Sequence, residues 1–198
     1  MKKKCIVKIH FSTIIYLMLC FSLRWMKESL LLMSLLLIHE SFHYKVAKWL
    51  NYEIEGMTLY PFGAILKLDD DKEHRPIEDF LVACAGAMSH LFFFIVKDVF
   101  LYFFKAHLYH YYLMFNTQIL IFNILPIYPL DGYKIILALL RMKFDEKTCL
   151  KMMKYVSLFS LGLFILKYPH LIQLFLVKEQ FYLWQFQRFE KSVKKRLF

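Results

Sequence analysis

The feature that most restricts this chain is an apolar run broken by ionisable side chains, Leu35-Leu36-Leu37-Ile38-His39-Glu40-Ser41-Phe42-His43. A charged or strongly polar group in the middle of a lipid-soluble helix costs roughly 2.5–3.5 kcal/mol, so it faces a cavity, a partner or an ion. A helix turns by about 100° per residue, which stacks His39 and His43 on one face at the spacing two imidazoles need to grip one zinc ion. Glu40 lies beside them, suited to take a proton from a water at that ion, the general-base role in H-E-x-x-H hydrolases. The plainer reading of the same residues is a pair of helix-surface histidines in a soluble core.

Composition favours the membrane. Of 198 residues, 59% are hydrophobic and 19% aromatic, with only five glycines, and several apolar runs are long enough to cross a bilayer. The length suggests one domain, residues 1–198. The net charge of +10 sits at the ends of apolar runs, as the positive-inside rule expects of cytoplasmic loops. No basic stripe with interleaved aromatics falls in a polar segment, so nucleic acid is not an expected partner. Cys5, Cys20, Cys84 and Cys149 are scattered, without C-x-x-C spacing, and read as packing residues.

The expected architecture is an all-α polytopic membrane protein of about six transmembrane helices, with a short membrane-associated β-hairpin after the second. Residues 6–23 form the first span, retained because Phe21-Ser22-Leu23-Arg24-Trp25 is too bulky for signal cleavage. Residues 29–50 form the second. Strand formers flank Pro61-Phe62-Gly63, a turn signal, within 51–68. That hairpin either offers an edge to an extended peptide or is an ordinary surface hairpin. Asp69-Asp70-Asp71 opens a solvated linker. A third span covers 77 to about 104, with Ala83, Ala85, Gly86 and Ala87 suited to close helix packing. His90 within it is a ligand, a proton relay or a buried hydrogen-bonded histidine.

Two prolines, Pro126 and Pro129, then break an apolar helix over 111–140 and set Asp131 deep in it. Broken backbone at membrane depth is tolerated where it lines a cavity or is buried in protein, and Asp131 needs a partner there. It is either the third ligand of a His₂-carboxylate site with an open position for water, or the N-cap of the helix that follows. A basic loop is expected over 141–154, a fifth span from 155 (or 150) to 166, and either a crossing or an interfacial helix over 171–189. With six crossings both termini are cytoplasmic.

Taken together, His39-Glu40-x-x-His43 and Asn123-x-x-Pro126-x-x-Pro129-Leu130-Asp131-Gly132 resemble the site-2 protease family of intramembrane zinc metalloproteases. Leu59-Tyr60-Pro61-Phe62-Gly63 is similar to the hairpin of its sporulation branch. The resemblance covers about residues 29–140, the expected catalytic core. It implies zinc held by His39, His43 and Asp131, Glu40 as the catalytic acid/base, and Asn123, Pro61, Phe62 and Gly63 as substrate-positioning residues. It also implies a membrane-associated protein substrate such as a sigma-factor precursor, inhibitory membrane partner proteins, and the lipid bilayer as surroundings. Membrane metal-ion binding or transport is the alternative function. The chain departs from the family pattern where Tyr133 replaces a second glycine and where Gly86-Ala87-Met88-Ser89-His90 stands in place of Gly-Pro-x-x-Asn. Neither a PDZ-sized insertion nor a CBS domain is expected. If the ligand set is right, His43→Ala and Asp131→Ala each lose the metal, which metal analysis of the purified protein reads directly.

Overall fold

A computed structural model describes residues 6–61, 63–68, 74–103 and 106–167. The described chain is mostly helical with one small sheet, and the segment 171–189, the linker acids and Phe62 lie outside the described residues. Strand β1 (Ile6–Ile9) leads into α1 (Phe11–Ser22) and α2 (Met26–Trp49). The hairpin β2 (Ile54–Tyr60) and β3 (Gly63–Leu68) follows, then α3 (Pro76–Ile95), α4 (Lys97–Phe103), α5 (Ala106–Ile124), α6 (Asp131–Arg141) and α7 (Glu146–Lys167).

The start of the chain differs from expectation. Instead of one span over 6–23, Ile6–Ile9 is a strand lying parallel to β2, with Ile6 opposite Gly56 and Ile9 opposite Leu59. The run Ile6-Val7-Lys8-Ile9 is rich in β-branched residues, and a ready strand edge outbids the helix there. His10 then caps α1, its ring accepting from the Ser12 backbone N–H at 3.3 Å. The 12 residues of α1 reach only about 18 Å, short of a hydrocarbon core about 30 Å thick. The expected hairpin is present, pairing Tyr60 with Gly63 and Met57 with Leu66, but it belongs to a sheet ordered β1-β2-β3. Gly63 sits at φ +144°, a conformation side chains avoid, which explains the glycine at this turn.

Helix α2 begins three residues earlier than expected and buries Ser29, Met33, Leu35, His39, His43 and Ala47. The four-residue spacing of 39, 43 and 47 puts the motif on its inward face. Asn51, at φ 61°, ends it in the left-handed conformation that asparagine tolerates well. The third expected span breaks at Val96, and α4 restarts with the exposed Lys97–Asp98 pair at 3.1 Å. The expected basic loop 141–154 is largely helix, because α7 begins at Glu146. Asp145 accepts from the Thr148 backbone N–H at 3.0 Å, while Cys149 and Met153, four apart and fully buried, anchor the first turns. The basic residues Lys147, Lys151 and Lys154 stay outside on the same helix, where lysine is a good helix former.

Helix α3 is the central element, packed against both α2 and α6. An apolar cluster of Leu35, Phe93, Tyr112 and Ile119 joins α2, α3 and α5, with Tyr112 stacked on Phe100 at 4.1 Å between ring centres. Among the described residues, Pro76–Ile95 and Glu146–Lys167 are long and apolar enough to cross a membrane. A polar clasp closes the other end of α3. The Tyr52 hydroxyl donates to Asp79 Oδ1 at 2.7 Å, Arg141 Nη1 donates to Asp79 Oδ2 at 2.6 Å, and His74 stacks on Tyr52. Burial, with the Asp79 carboxylate added, pushes the Tyr52 phenol up from its usual value, so it remains a donor.

The clasp holds the start of α3, the end of α6 and Tyr52, three residues past α2, in one register. Tyr52→Phe should cost about 1 kcal/mol, and Arg141→Met, which leaves the Asp79 carboxylate short of its cation, about 1–3 kcal/mol. Thermal unfolding of the detergent-solubilised variants, compared with the unsubstituted chain, checks both.

Candidate metal centre

Two helices meet at the site. His39 and His43 project from α2, and Asp131 is the first residue of α6, immediately after the break at 125–130. Leu130, not Asp131, is the N-cap, in extended backbone conformation and without a side-chain cap bond. The capping alternative for Asp131 is therefore set aside: its carboxylate is turned inward and 5% exposed.

His39 Nε2 lies 3.1 Å and His43 Nε2 3.0 Å from Asp131 Oδ2, and the two Nε2 atoms are 3.1 Å apart. Donor atoms bound about 2.05 Å from a tetrahedral ion would be about 3.3 Å apart, so the triangle is nearly the size a zinc ion needs, with a fourth vertex left over. The chemistry agrees with the size. His43 Nδ1 is 2.7 Å from the Val82 carbonyl oxygen, and a carbonyl only accepts, so Nδ1 carries the hydrogen. A neutral His43 ring then presents its Nε2 lone pair to the Asp131 carboxylate. Acceptors facing one another in a buried space call for a cation between them. His39, His43 and Asp131 are the one such group of three among the described residues.

The close approach depends on a glycine. A Cβ on Gly86 of α3 would fall 2.3 Å from His39 Cε1 and 2.3 Å from His43 Nε2. Both rings thus lean over bare α3 backbone, and the small-residue stretch read as a packing face also makes room for the site. A Cβ at Gly132 would fall 2.0 Å from the Ile124 carbonyl oxygen, so the residue beside Asp131 is equally confined where α6 folds back over the end of α5.

Glu40 is partly buried on α2 and within electrostatic reach of His43, His39, Lys134 and Asp131. Lys134, one turn along α6, places Nζ 3.3 Å from Asp131 Oδ1, the oxygen turned away from the histidines. His90 is buried and hydrogen-bonded, with Nε2 2.9 Å from His39 Nδ1. It stands behind a histidine and outside the three-residue cluster. Asn123, in the last turn of α5, and Pro61 and Gly63, in the β2–β3 turn, are partly buried and are likewise outside that cluster. Sequence reasoning passed over Asn116, fully buried on α5 and bonded to His90. An amide inside an apolar helix was the available signal. Lys134, three residues after Asp131, was missed as well.

Residues 28–106 match the model of Peptidase family M50. That stretch is similar to the family over about two fifths of the chain. The chain is 29% identical over 140 residues to stage IV sporulation protein FB of Bacillus subtilis, covering 68% of this chain and 48% of that protein. It is 26% identical over 150 residues to a zinc metalloprotease of Methanocaldococcus jannaschii, covering 70% of this chain and 43% of the other. The chain therefore spans about half the length of these curated relatives or somewhat less. Its fold is that of the site-2 protease from M. jannaschii, with a TM-score of 0.61 over 86% of this chain and 83% of that one, at 22% identity. The M50 match contains His39, Glu40, His43 and Gly86, and Asp131 comes from beyond it.

Gly86→Ala should remove metal binding while leaving α3 helical, since the added methyl meets both imidazoles before it meets anything else. Zinc titration and far-UV circular dichroism of the purified variant measure the two effects separately.

Proposed function

We propose that the chain is an intramembrane zinc metalloprotease of the site-2 type, hydrolysing a peptide bond of a membrane-associated protein. The observation that carries this reading is the buried convergence of His39, His43 and Asp131 on one point, with Glu40 alongside. The M50 match and the zinc metalloprotease relative support it. In this reading His39, His43 and Asp131 hold the ion, which supplies a Lewis acid to polarise the scissile carbonyl and activate water. Glu40 takes the proton of the attacking water and returns it to the leaving amine nitrogen. Lys134 neutralises the second oxygen of Asp131, leaving Oδ2 to face the histidines.

A peptide bond inside a helix is shielded by its own turn, so the substrate must be extended to react. Strand β2 is paired on both sides, by β1 and β3, so an extended peptide would add to an outer edge of the sheet, and of the two outer strands β3 is the one that packs against α2. Pro61, Phe62 and Gly63 at the turn, and Asn123 before the break, are assigned to substrate positioning. The sporulation relative supports a role in sporulation, and the family resemblance adds a substrate such as a sigma-factor precursor, with inhibitory membrane proteins as partners.

The same reading makes the protein an integral, multi-pass membrane enzyme acting as one domain whose catalytic core is 29–140. The six crossings with cytoplasmic termini expected from sequence counted 6–23 as a span, where β1 and the short α1 stand instead. The exposed apolar residues of α7, among them Leu158, Phe159, Leu163 and Leu166, suit a lipid-facing helix. Glu40→Gln should keep stoichiometric zinc and lower cleavage of a co-reconstituted membrane substrate by about 10²–10⁴-fold. Undiminished cleavage by that variant would overturn the assignment of Glu40. Zinc flux into liposomes that is indifferent to Glu40→Gln would point to the transport alternative.

A further inference from the structure

Each protein atom that would face the ion has something behind it, and the device behind His39 is unlike the others. His43 is held by a backbone carbonyl, that of Val82 at 2.7 Å. His39 is held by side chains from two other helices. Its Nδ1 is 2.9 Å from His90 Nε2, and His90 Nδ1 is 2.7 Å from Asn116 Oδ1. Asn116 Nδ2 donates to the His90 backbone oxygen at 3.3 Å. His90 and Asn116 are both wholly buried, so water does not substitute for either.

That last bond sets the direction of the rest. With the amide NH₂ turned to the His90 carbonyl, Asn116 presents Oδ1, an acceptor, to His90 Nδ1. A neutral imidazole has one N–H, so His90 donates from Nδ1 and keeps a lone pair on Nε2. His39 must then donate from Nδ1, and its own lone pair is on Nε2, the atom 3.1 Å from Asp131 Oδ2. The opposite sense would put an N–H where the ion must bind.

We propose that His90 and Asn116 are positioning residues that fix the tautomer and ring orientation of His39 for metal binding, making α5 part of the centre without contributing a ligand. The proposal rests on the metal-centre reading above. An outer partner of this kind is worth about 10–100-fold in metal affinity.

The test is zinc affinity of the full-length protein in detergent, by competition with a chromogenic chelator, with thermal unfolding of the metal-free forms alongside. Asn116→Leu, close in volume to asparagine but without an acceptor, should weaken zinc about 10–100-fold, as should His90→Phe. His90→Gln, whose amide oxygen reaches the place of Nε2 and can only accept, should stay near wild type. In the His90→Gln background Asn116→Leu should cost far less than it does alone, because the direction of the relay no longer depends on it. Loss of packing would cost the same in both backgrounds, and that result overturns the proposal. So does wild-type affinity in Asn116→Leu. If His90→Phe does not fold, the Asn116→Leu and His90→Gln cycle decides the matter by itself. Failure of the unsubstituted protein to bind zinc is a different outcome, and it removes the metal-centre reading with everything built on it.

Discussion

Two ring nitrogens and a carboxylate oxygen are brought within 3.0–3.1 Å of one another among buried side chains, and the rest of the structure is arranged around the cost of keeping them there. Lone pairs at that distance repel unless something positive lies between them. The protein makes the arrangement possible by removing obstacles. Gly86 withdraws its side chain from beneath both imidazoles, and the break at 125–130 starts α6 so that its first residue points inward. Asp131 directs its two oxygens in opposite directions, Oδ1 to the Lys134 ammonium and Oδ2 toward the histidines, where a cation would satisfy it.

Alignment of α2, α3, α5 and α6 comes from two zones above and below that point. One is the apolar cluster around Tyr112, in which large rings pack against the leucines of α2. The other is the Tyr52–Asp79–Arg141 clasp. Exposed ion pairs typically contribute under about 1 kcal/mol to stability, and a half-buried one such as Arg141–Asp79 fixes register well because its geometry is narrow. Here the fixed register matters: a slip of one residue along α6 would swing Asp131 by about 100° out of the centre. The sheet has a separate task. Pairing β1 to β2 ties the start of the chain to the hairpin and leaves β3 beside α2.

Much of the centre was legible beforehand because its signals are local or energetic. His39 and His43 are four residues apart on one helix, a fact of helical geometry, and Asp131 follows two prolines in a segment where a carboxylate without a partner is costly. The hairpin was equally plain from its turn residues. The first span was misread because apolar β-branched residues serve strand and membrane helix alike, and only the neighbouring strand edge decides. The basic loop was misread because lysines mark a cytoplasmic face without interrupting a helix.

The sequence by itself determined the two histidines and the carboxylate, the glutamate beside them, the breaks at proline and the hairpin, since each follows from spacing or from the penalty of burying a charge. Tertiary structure alone decided which carboxylate oxygen meets the histidines, that Gly86 lies under them, that β1 completes a sheet, and that His90 and Asn116 stand behind His39. Those are contacts between residues distant in the chain, and no periodicity along a single helix encodes which face of one will meet which face of another.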